Sequence, residues 1–254
     1  MKRLLLACAV GVGLAFSQAA LAAEPLYVYG PGGPFPAMKE AAAAFSKQHG
    51  VDVIVTAGPT PKWIADAKSN ADLIFSGSEV MMSSFISAMP QIDPATVKPL
   101  YLRAAAILVR PGNPEHITGI ADLLKPGHHI LVVNGAGQQG LWEDVAGRTG
   151  NIADVQAFRA NIAVSADNSA QARAAWTKDK SLDAWLIWTI WQKANPTLAD
   201  QVPVEADRVI YRDAGIALTK AGDARPEAKE FADFLSSPAG AKIFAQWGWI
   251  TPAQ

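Results

Sequence analysis

The sequence predicts an α/β protein with two lobes, each built on a mainly parallel sheet with flanking helices. First, the chain repeats a unit of strand, Gly- or Ser-rich loop and helix three times. Second, a long apolar strand and a Pro/Gly-rich break at Arg110–Pro114 separate these units from a second set. Third, Val209–Leu218 has the composition of a strand that returns to the first set. This order is typical of one lobe interrupted by the other.

The first lobe is predicted from three strands, each of which ends in small residues and is followed by a helix. The strands are Leu26–Tyr29, Val51–Thr56 and Asp72–Phe75. The loops after them are Gly30–Gly33, Ala57–Pro59 and Ser76–Ser78. The helices that follow are expected to begin at Pro34, at Thr60 as a cap with Pro61 behind it, and at Ser78 as a cap.

The second lobe is predicted from four helical and three strand segments. The helices are Thr118–Leu124, Leu141–Ala146, Ala153–Arg159 and Ser169–Lys178, and the strands are His129–Val133, Asn161–Ser165 and Asp183–Ile187. Two helices that open with proline, Pro226–Leu235 and Pro238–Trp247, close the chain. Two strands, near Ala104–Leu108 and Ile210–Ile216, are expected to cross between the lobes. We therefore expect residues 23–106 and 209–254 to form lobe I and residues 107–208 to form lobe II.

Composition excludes several classes of protein. Of the 254 residues, 50% are hydrophobic and 18% charged, which is a globular composition and not that of a disordered, collagenous or coiled-coil chain. The 22 basic and 23 acidic residues nearly cancel, and this argues against a nucleic-acid partner, since such proteins carry a basic surface.

Residues 1–22 are predicted to be a secretory signal peptide. A basic start and an apolar run over residues 4–16 precede the A-x-A sequence Ala20-Leu21-Ala22, so we expect cleavage after Ala22 and a periplasmic mature protein. A membrane anchor is the alternative, although the run is short of the roughly 20 residues that cross a bilayer. The sole cysteine, Cys8, lies in this segment, so the mature chain would have no disulfide or thiolate.

The Gly/Ser loops of lobe I are candidates for binding an anion. All three follow the carboxyl ends of strands, where open parallel sheets bind ligands. Backbone N–H groups and helix N-termini at such loops favour negative charge, and Thr60, Ser76 and Ser78 add hydroxyl groups. The alternative is that each loop is only a turn with a capping residue.

A fourth glycine loop allows a different function. Gly135–Gly140 fits G-x-G-x-x-G between a predicted strand and a predicted helix, which would suit an exported nucleotide-dependent enzyme. Secretion argues against a nicotinamide cofactor, so we interpret the same backbone as a further anion-binding loop and expect no cofactor. The pair His128-His129 is interpreted as an exposed turn, and no metal site is expected.

Three segments carry a family resemblance: Gly30–Pro34, Gly58–Trp63 and Ala71–Glu79. They resemble the accessory colonization factor C proteins, which are periplasmic solute-binding proteins of the molybdate/sulfate type, and Ala228–Ile250 is similar to the closing helices of that superfamily. The resemblance implies the periplasmic binding protein type 2 fold, with a two-strand hinge and a monomeric chain. It also implies capture of a small anion without catalysis, for the permease of an ABC transporter. A ligand-sensing module for a chemoreceptor or a colonization function would share this fold.

The resemblance implies that loops of both lobes hold the ligand. The residues carried over are Gly32, Gly33, Thr60, Ser76, Gly77, Ser78, Asn134, Gly135, Gly137 and Trp188. Gly32-Gly33 stands where molybdate binders have a serine, and Trp188 stands near their tyrosine. The expected ligand is therefore a sulfate- or molybdate-like oxyanion or a small organic anion. Glu79 either complements the dipole of its helix or accepts a proton from the ligand.

Overall fold

The computed structural model describes residues 24–252, so the predicted signal peptide lies outside the described part of the chain. The strands are β1 (Leu26–Gly30), β2 (Val53–Ala57), β3 (Leu73–Ser76), β4 (Lys98–Val109), β5 (Ile130–Val133), β6 (Ile162–Ala166), β7 (Ala184–Trp188), β8 (Asp200–Pro203) and β9 (Tyr211–Leu218). The helices are α1 (Phe35–His49), α2 (Ile64–Asn70), α3 (Glu79–Ala88), α4 (Ile120–Leu123), α5 (Leu141–Gly147), α6 (Ile152–Ala160), α7 (Ser169–Lys178), α8 (Thr189–Ala194), α9 (Lys220–Asp223), α10 (Pro226–Ser236) and α11 (Pro238–Gln246). Short 3₁₀ turns lie at Thr60–Lys62, Pro94–Thr96 and Ala136–Gln138.

The strands form a mixed sheet in the order β2-β1-β3-β9-β4-β7-β5-β6, with β8 paired to β4. Strands β1, β2 and β3 are parallel to one another, and so are β5, β6 and β7. The two long strands β4 and β9 run antiparallel to their neighbours. The predicted α/β class with two parallel groups of strands is confirmed. We call β1–β3 with β9 the first half of the sheet and β5–β7 the second half.

Strand β4 belongs to both halves of the sheet. Its first part pairs with β9 as far as Ala104, opposite Tyr211, and its last five residues pair with β7. At the change of partner, the Ala105 N–H donates to the Ile210 carbonyl at 2.9 Å. The outgoing and returning segments of the chain therefore meet at one point, and we infer that the two lobes join there.

Two hydrophobic cores hold the helices on the sheet. The larger one runs through both halves and includes Phe45, Phe231 and Trp185. The second lies under the first half alone, where Trp63 packs edge-on against Phe85 with ring centroids 5.3 Å apart. Helices therefore cover both faces of the first half of the sheet, and a ligand can reach this half only at the ends of its strands.

The two predicted helix caps of the first half, Thr60 and Ser78, have different outcomes, and backbone hydrogen bonds explain the difference. Thr60 was predicted to cap a helix, and this is wrong: the segment forms a 3₁₀ turn without a side-chain cap. The N–H groups of Lys62 and Trp63 already donate to the carbonyls of Pro59 and Thr60, so none is left for a hydroxyl. The predicted cap at Ser78 is confirmed, since its Oγ accepts from the Met81 N–H at 3.2 Å. Helices α8 and α9 and strand β8 had no sequence prediction.

A buried ion pair fastens the chain start to the closing helices. Asp72, which is 4% exposed at the start of β3, accepts from the Tyr27 N–H at 2.8 Å and from Arg225 Nη1 at 3.0 Å. Arg225 precedes α10 and also donates to the carbonyls of Glu24 and Pro25 at 2.6 and 3.1 Å. Three elements far apart in sequence thus depend on one carboxylate.

Removing this carboxylate should destabilise the fold. We expect Asp72→Ala to lower the free energy of unfolding by about 2–3 kcal/mol, because it removes the acceptor of the Tyr27 N–H and the counter-charge of a partly buried guanidinium. Asp233→Ala, which breaks the exposed pair with Lys98, should cost less than about 0.5 kcal/mol. Urea unfolding measures both, and equal losses would contradict the structural role of Asp72.

Candidate functional site

A cavity of about 320 Å³ lies between the two halves of the sheet, where strand ends from both halves converge. Its wall on the first half consists of the loops after β1, β2 and β3 together with Met81. Its wall on the second half consists of the loops after β5 and β6 together with Trp191. The lining residues are Pro31, Gly32, Gly33, Pro34, Gly58, Pro59, Thr60, Pro61, Gly77, Met81, Arg103, Gly137, Gln138, Asp167, Asn168, Ser169, Ala170 and Trp191.

Arg103 lies at the centre of this cavity wall. It sits on β4 just before the strand changes partner, and it is only 2% exposed. Its Nη2 donates to the Gly77 carbonyl, and its Nε has no hydrogen-bond partner. The guanidinium carbon lies 4.5 Å from the ring centroid of Trp188 and 5.6 Å from that of Trp249. Among the residues from 24 to 252, no carboxylate forms an ion pair with it.

Three glycines enclose the guanidinium. A Cβ added to Gly33 would lie 3.0 Å from Nη1, and one added to Gly77 or Gly137 would lie 3.0 Å from Nη2. Gly33 and Gly77 belong to loops of the first half of the sheet, and Gly137 belongs to a loop of the second. A Cβ at any of these positions would press on the buried guanidinium, so the absence of a side chain makes room for Arg103.

The electrostatics of the site favour an anion. Burial lowers the pKa of Arg103 to about 9, while the Asp213 carboxylate opposes this shift and the Arg212 guanidinium adds to it. Arg103 is therefore still protonated at neutral pH. A buried charge is costly unless it is paired, so the site gains free energy when a negative group enters the cavity.

Half of the sequence-predicted ligand residues line the cavity. These are Gly32, Gly33, Thr60, Gly77 and Gly137, which come from four loops in the two halves of the sheet. The convergence of separate strand ends at one edge, on which the anion hypothesis depended, is present in the structure.

The other predicted residues lie outside the lining. Ser78 caps α3, and the Ser76 hydroxyl is fully buried with no hydrogen-bond partner. Asn134 is exposed to solvent. Gly135 is packed beneath the loop after β6, and Trp188 is fully buried beneath the Arg103 guanidinium. Trp188 thus contacts the cation of the site and not the cavity itself.

The Gly135–Gly140 loop is explained by packing. A Cβ on Gly135 would lie 2.2 Å from the Asp167 carbonyl oxygen, and one on Gly137 would lie 3.2 Å from the Gly77 carbonyl oxygen. These contacts account for both glycines of the G-x-G segment without a nucleotide. Glu79 also lies away from the cavity lining, where its carboxylate accepts from the Ser83 hydroxyl at 2.8 Å.

Sequence reasoning missed Arg103 and the loop after β6. Arg103 is the one charged residue in the apolar run from Tyr101 to Val109, and a lone charge inside a long apolar strand is the signal that could have found it. Asp167-Asn168 follows a strand and precedes α7, as the loops of the first lobe precede their helices. Asn168 caps that helix by accepting from the N–H groups of Ala170 and Gln171 at 3.1 and 3.0 Å.

Neither a membrane span nor a metal cluster occurs in the described part of the chain. No helix between residues 24 and 252 is both long and apolar enough to cross a bilayer. No group of three or more His, Cys, Asp or Glu side chains in this range is placed to hold a metal ion.

Solved structures with this fold include a protein of similar sequence. PEB3 with bound L-phospholactate is 37% identical, with a TM-score of 0.84 over 89% of this chain and 99% of that one. Peb3 from Campylobacter jejuni is 36% identical, with a TM-score of 0.82 and the same coverage. No curated protein sequence matches the chain.

More distant structures share the fold. The sulfate-binding protein SubI from Mycobacterium tuberculosis H37Rv is 18% identical, with a TM-score of 0.73 over 89% of this chain and 86% of that one. The molybdate-binding protein of Azotobacter vinelandii shows a similar likeness, so the expected type 2 periplasmic binding protein fold is confirmed. The sequence profile of bacterial extracellular solute-binding proteins matches residues 26–250, and the chain belongs to that family.

Proposed function

We propose that this protein binds a small organic anion in the cavity between its lobes. The observation that carries the proposal is Arg103, a buried guanidinium without a carboxylate partner among the described residues, in the wall of the cavity. The likeness to PEB3, whose structure contains L-phospholactate, supports the same class of ligand. We further propose that the protein acts in the periplasm and delivers the anion to the permease of an ABC transporter.

The size and lining of the cavity favour an organic anion over sulfate or molybdate. A volume of about 320 Å³ corresponds to roughly ten water molecules, at about 30 Å³ each, and a tetrahedral oxyanion fills only part of it. Four prolines, Met81 and Trp191 contribute apolar surface to the lining. A ligand with a short carbon skeleton would cover this surface while its acid group pairs with Arg103.

In this proposal the acid group binds on the cation and the surrounding loops complete the site. Arg103 supplies charge, and Gly32, Gly33, Gly77 and Gly137 allow the ligand to approach backbone N–H groups closely. The loop that contains Gly32 and Gly33 leads into α1, so the positive end of that helix lies nearby. Thr60 offers a hydroxyl from the loop after β2.

Contacts between the two halves of the sheet hold the arrangement in which the proposed ligand would touch both walls. Arg212, on β9, donates to the Gln139 carbonyl at 3.0 Å and to Asp144 at 3.2 Å, both of which belong to the second half of the sheet. A ligand that touches both walls would stabilise this closed arrangement, because only there does it contact both lobes. The shared strand β4 and the return segment before β9 would act as the hinge.

Experiments separate this proposal from the two alternative functions that the sequence left open. A sensing module for a chemoreceptor would bind the same anion with the same fold, and a partner pull-down from membranes separates it from a transport role. A nucleotide-dependent enzyme would retain its cofactor, which ultraviolet absorbance of the purified protein detects.

Neutralising Arg103 should abolish anion binding without unfolding the protein. We expect Arg103→Met to weaken L-phospholactate binding at least about 100-fold, since two charge-assisted hydrogen bonds are worth about 3 kcal/mol or more. Stability should be unchanged or higher, because an apolar side chain replaces an unpaired buried charge. Calorimetry and thermal unfolding measure the two effects.

The matched control is Arg173→Met, which removes an exposed arginine on α7. It should leave the affinity within about twofold, because exposed charges outside the site are screened by solvent. Equal affinities for the wild type and for Arg103→Met would contradict the proposed site.

Ligand binding should change the fluorescence of Trp191. This side chain lines the cavity from the second half of the sheet, and a Cβ on Gly33 in the first half would lie 3.9 Å from its Nε1. Saturating L-phospholactate should shift tryptophan emission, and Trp191→Phe should remove most of the shift. The control is Trp142→Phe, which does not line the cavity and should retain the shift. A bound ligand that leaves the emission of the wild type unchanged would argue against closure.

A further inference from the structure

One end of the Arg103 guanidinium is free, and it faces the loop after β1. Its Nη2 donates to the Gly77 carbonyl, whereas Nη1 donates to no group of the described chain. A Cβ added to Gly33 would lie 3.0 Å from this Nη1. An acid group beside Gly33 could therefore pair with Nη1 without displacing the Gly77 carbonyl from Nη2.

A second donor, the indole N–H of Trp191, lies beside the same glycine. The Cβ position on Gly33 is 3.9 Å from Trp191 Nε1, and this nitrogen is buried without a hydrogen-bond partner within residues 24–252. Because both distances start from one point, Nη1 and Nε1 are at most 6.9 Å apart, which is the sum of the two. A charged donor from β4 and a neutral donor from α8 thus flank one glycine of the cavity wall.

Packing holds the Trp191 ring in this place. Its centroid is 6.0 Å from that of Trp185, which is fully buried in the larger core. The preceding residue, Ile190, brings its Cδ1 to 3.6 Å from the Cβ position on Gly33. Helix α8 therefore packs against the loop after β1 across the cavity, and the indole N–H is positioned before a ligand arrives.

The start of α1 adds positive potential at the same glycine. Gly33 is followed by Pro34, the N-cap of this 15-residue helix, which has no side-chain cap and no acidic residue in its first turn. The positive end of the helix dipole is therefore not compensated by the helix itself. An acid group beside Gly33 would meet this potential together with the two side-chain donors.

We propose that Trp191 is a ligand-binding residue, whose Nε1 donates to the acid group that pairs with Arg103 Nη1. This inference rests on the proposed function, to which it adds the position of the acid group and a second side chain that recognises it. Two oxygens of one acid group, each about 2.7–2.9 Å from its donor, span the separation of Nη1 and Nε1. A buried N–H without an acceptor costs free energy, so its pairing with the ligand favours binding.

The test removes the N–H group of Trp191 and keeps the shape of its ring. Replacement of Trp191 by 3-benzothienylalanine puts a sulfur atom where the indole has its N–H, and Trp191→Phe is a second variant without the donor. Trp142→Phe is the matched control, because Trp142 is buried and does not line the cavity. Calorimetry with L-phospholactate measures the affinity of each protein, and thermal unfolding measures its stability.

Both Trp191 variants should bind L-phospholactate at least about tenfold more weakly than the wild type, because a hydrogen bond to a charged group is lost. Trp142→Phe should stay within about twofold of the wild type. The benzothienyl variant should unfold at the same temperature as the wild type, since the N–H has no partner to lose in the ligand-free protein. In the wild type labelled with ¹⁵N, the indole proton resonance of Trp191 should move downfield at saturating L-phospholactate.

Three results would overturn the inference: unchanged affinity in both Trp191 variants, a loss confined to Trp191→Phe, or an indole resonance that does not move. The second of these would assign the effect to packing of the ring. If Arg103→Met abolishes binding while the benzothienyl variant retains it, the role of Trp191 is wrong and the proposed anion site stands. If the wild type does not bind L-phospholactate, or if Arg103→Met binds it equally well, both proposals fail.

Discussion

The burial of one cation is the constraint on which the site depends. Arg103 is enclosed where the two halves of the sheet meet, with the Trp188 ring beneath it and glycines of both halves around it. At three of these positions an added Cβ would crowd the guanidinium at 3.0 Å, so glycine accommodates the buried cation. Without a charged partner from the described chain, the cation is costly to bury, and this cost becomes binding free energy when an anion pairs with it.

The position of the buried Arg103 guanidinium also links the fold to the proposed closure of the two lobes. Arg103 lies on β4, the strand that pairs with β9 at one end and with β7 at the other, so the cation sits beside the inferred hinge. Gly77 and Gly137 reach it from opposite halves of the sheet. In the proposed function, a ligand on Arg103 would stabilise the contact between the halves and so couple ligand capture to closure.

Sequence patterns predicted the fold and the edge of the sheet that carries the cavity, but not its charge. Strand, loop and helix alternate visibly, and parallel strand ends converge by geometry, so Gly33, Gly77 and Gly137 could be found. Arg103 stands out in the sequence as a lone charge in an apolar strand, but the sequence does not show that it is buried without a partner. It could therefore not be identified as a ligand-binding residue. The hydroxyls of Ser76 and Ser78 look like ligand donors in sequence, yet one lacks any partner and the other caps a helix. The contribution of the loop after β6 emerges only from packing across the two halves.

The central claim is that an acid group of the ligand is the missing partner of Arg103. A crystal structure with L-phospholactate bound tests it most directly. We expect an acid oxygen within about 2.7–2.9 Å of an Arg103 nitrogen, with the Gly33 and Gly137 loops closed around the same group. A ligand whose acid groups lie away from Arg103, or an Arg103 side chain paired with a protein carboxylate in the bound state, would contradict it.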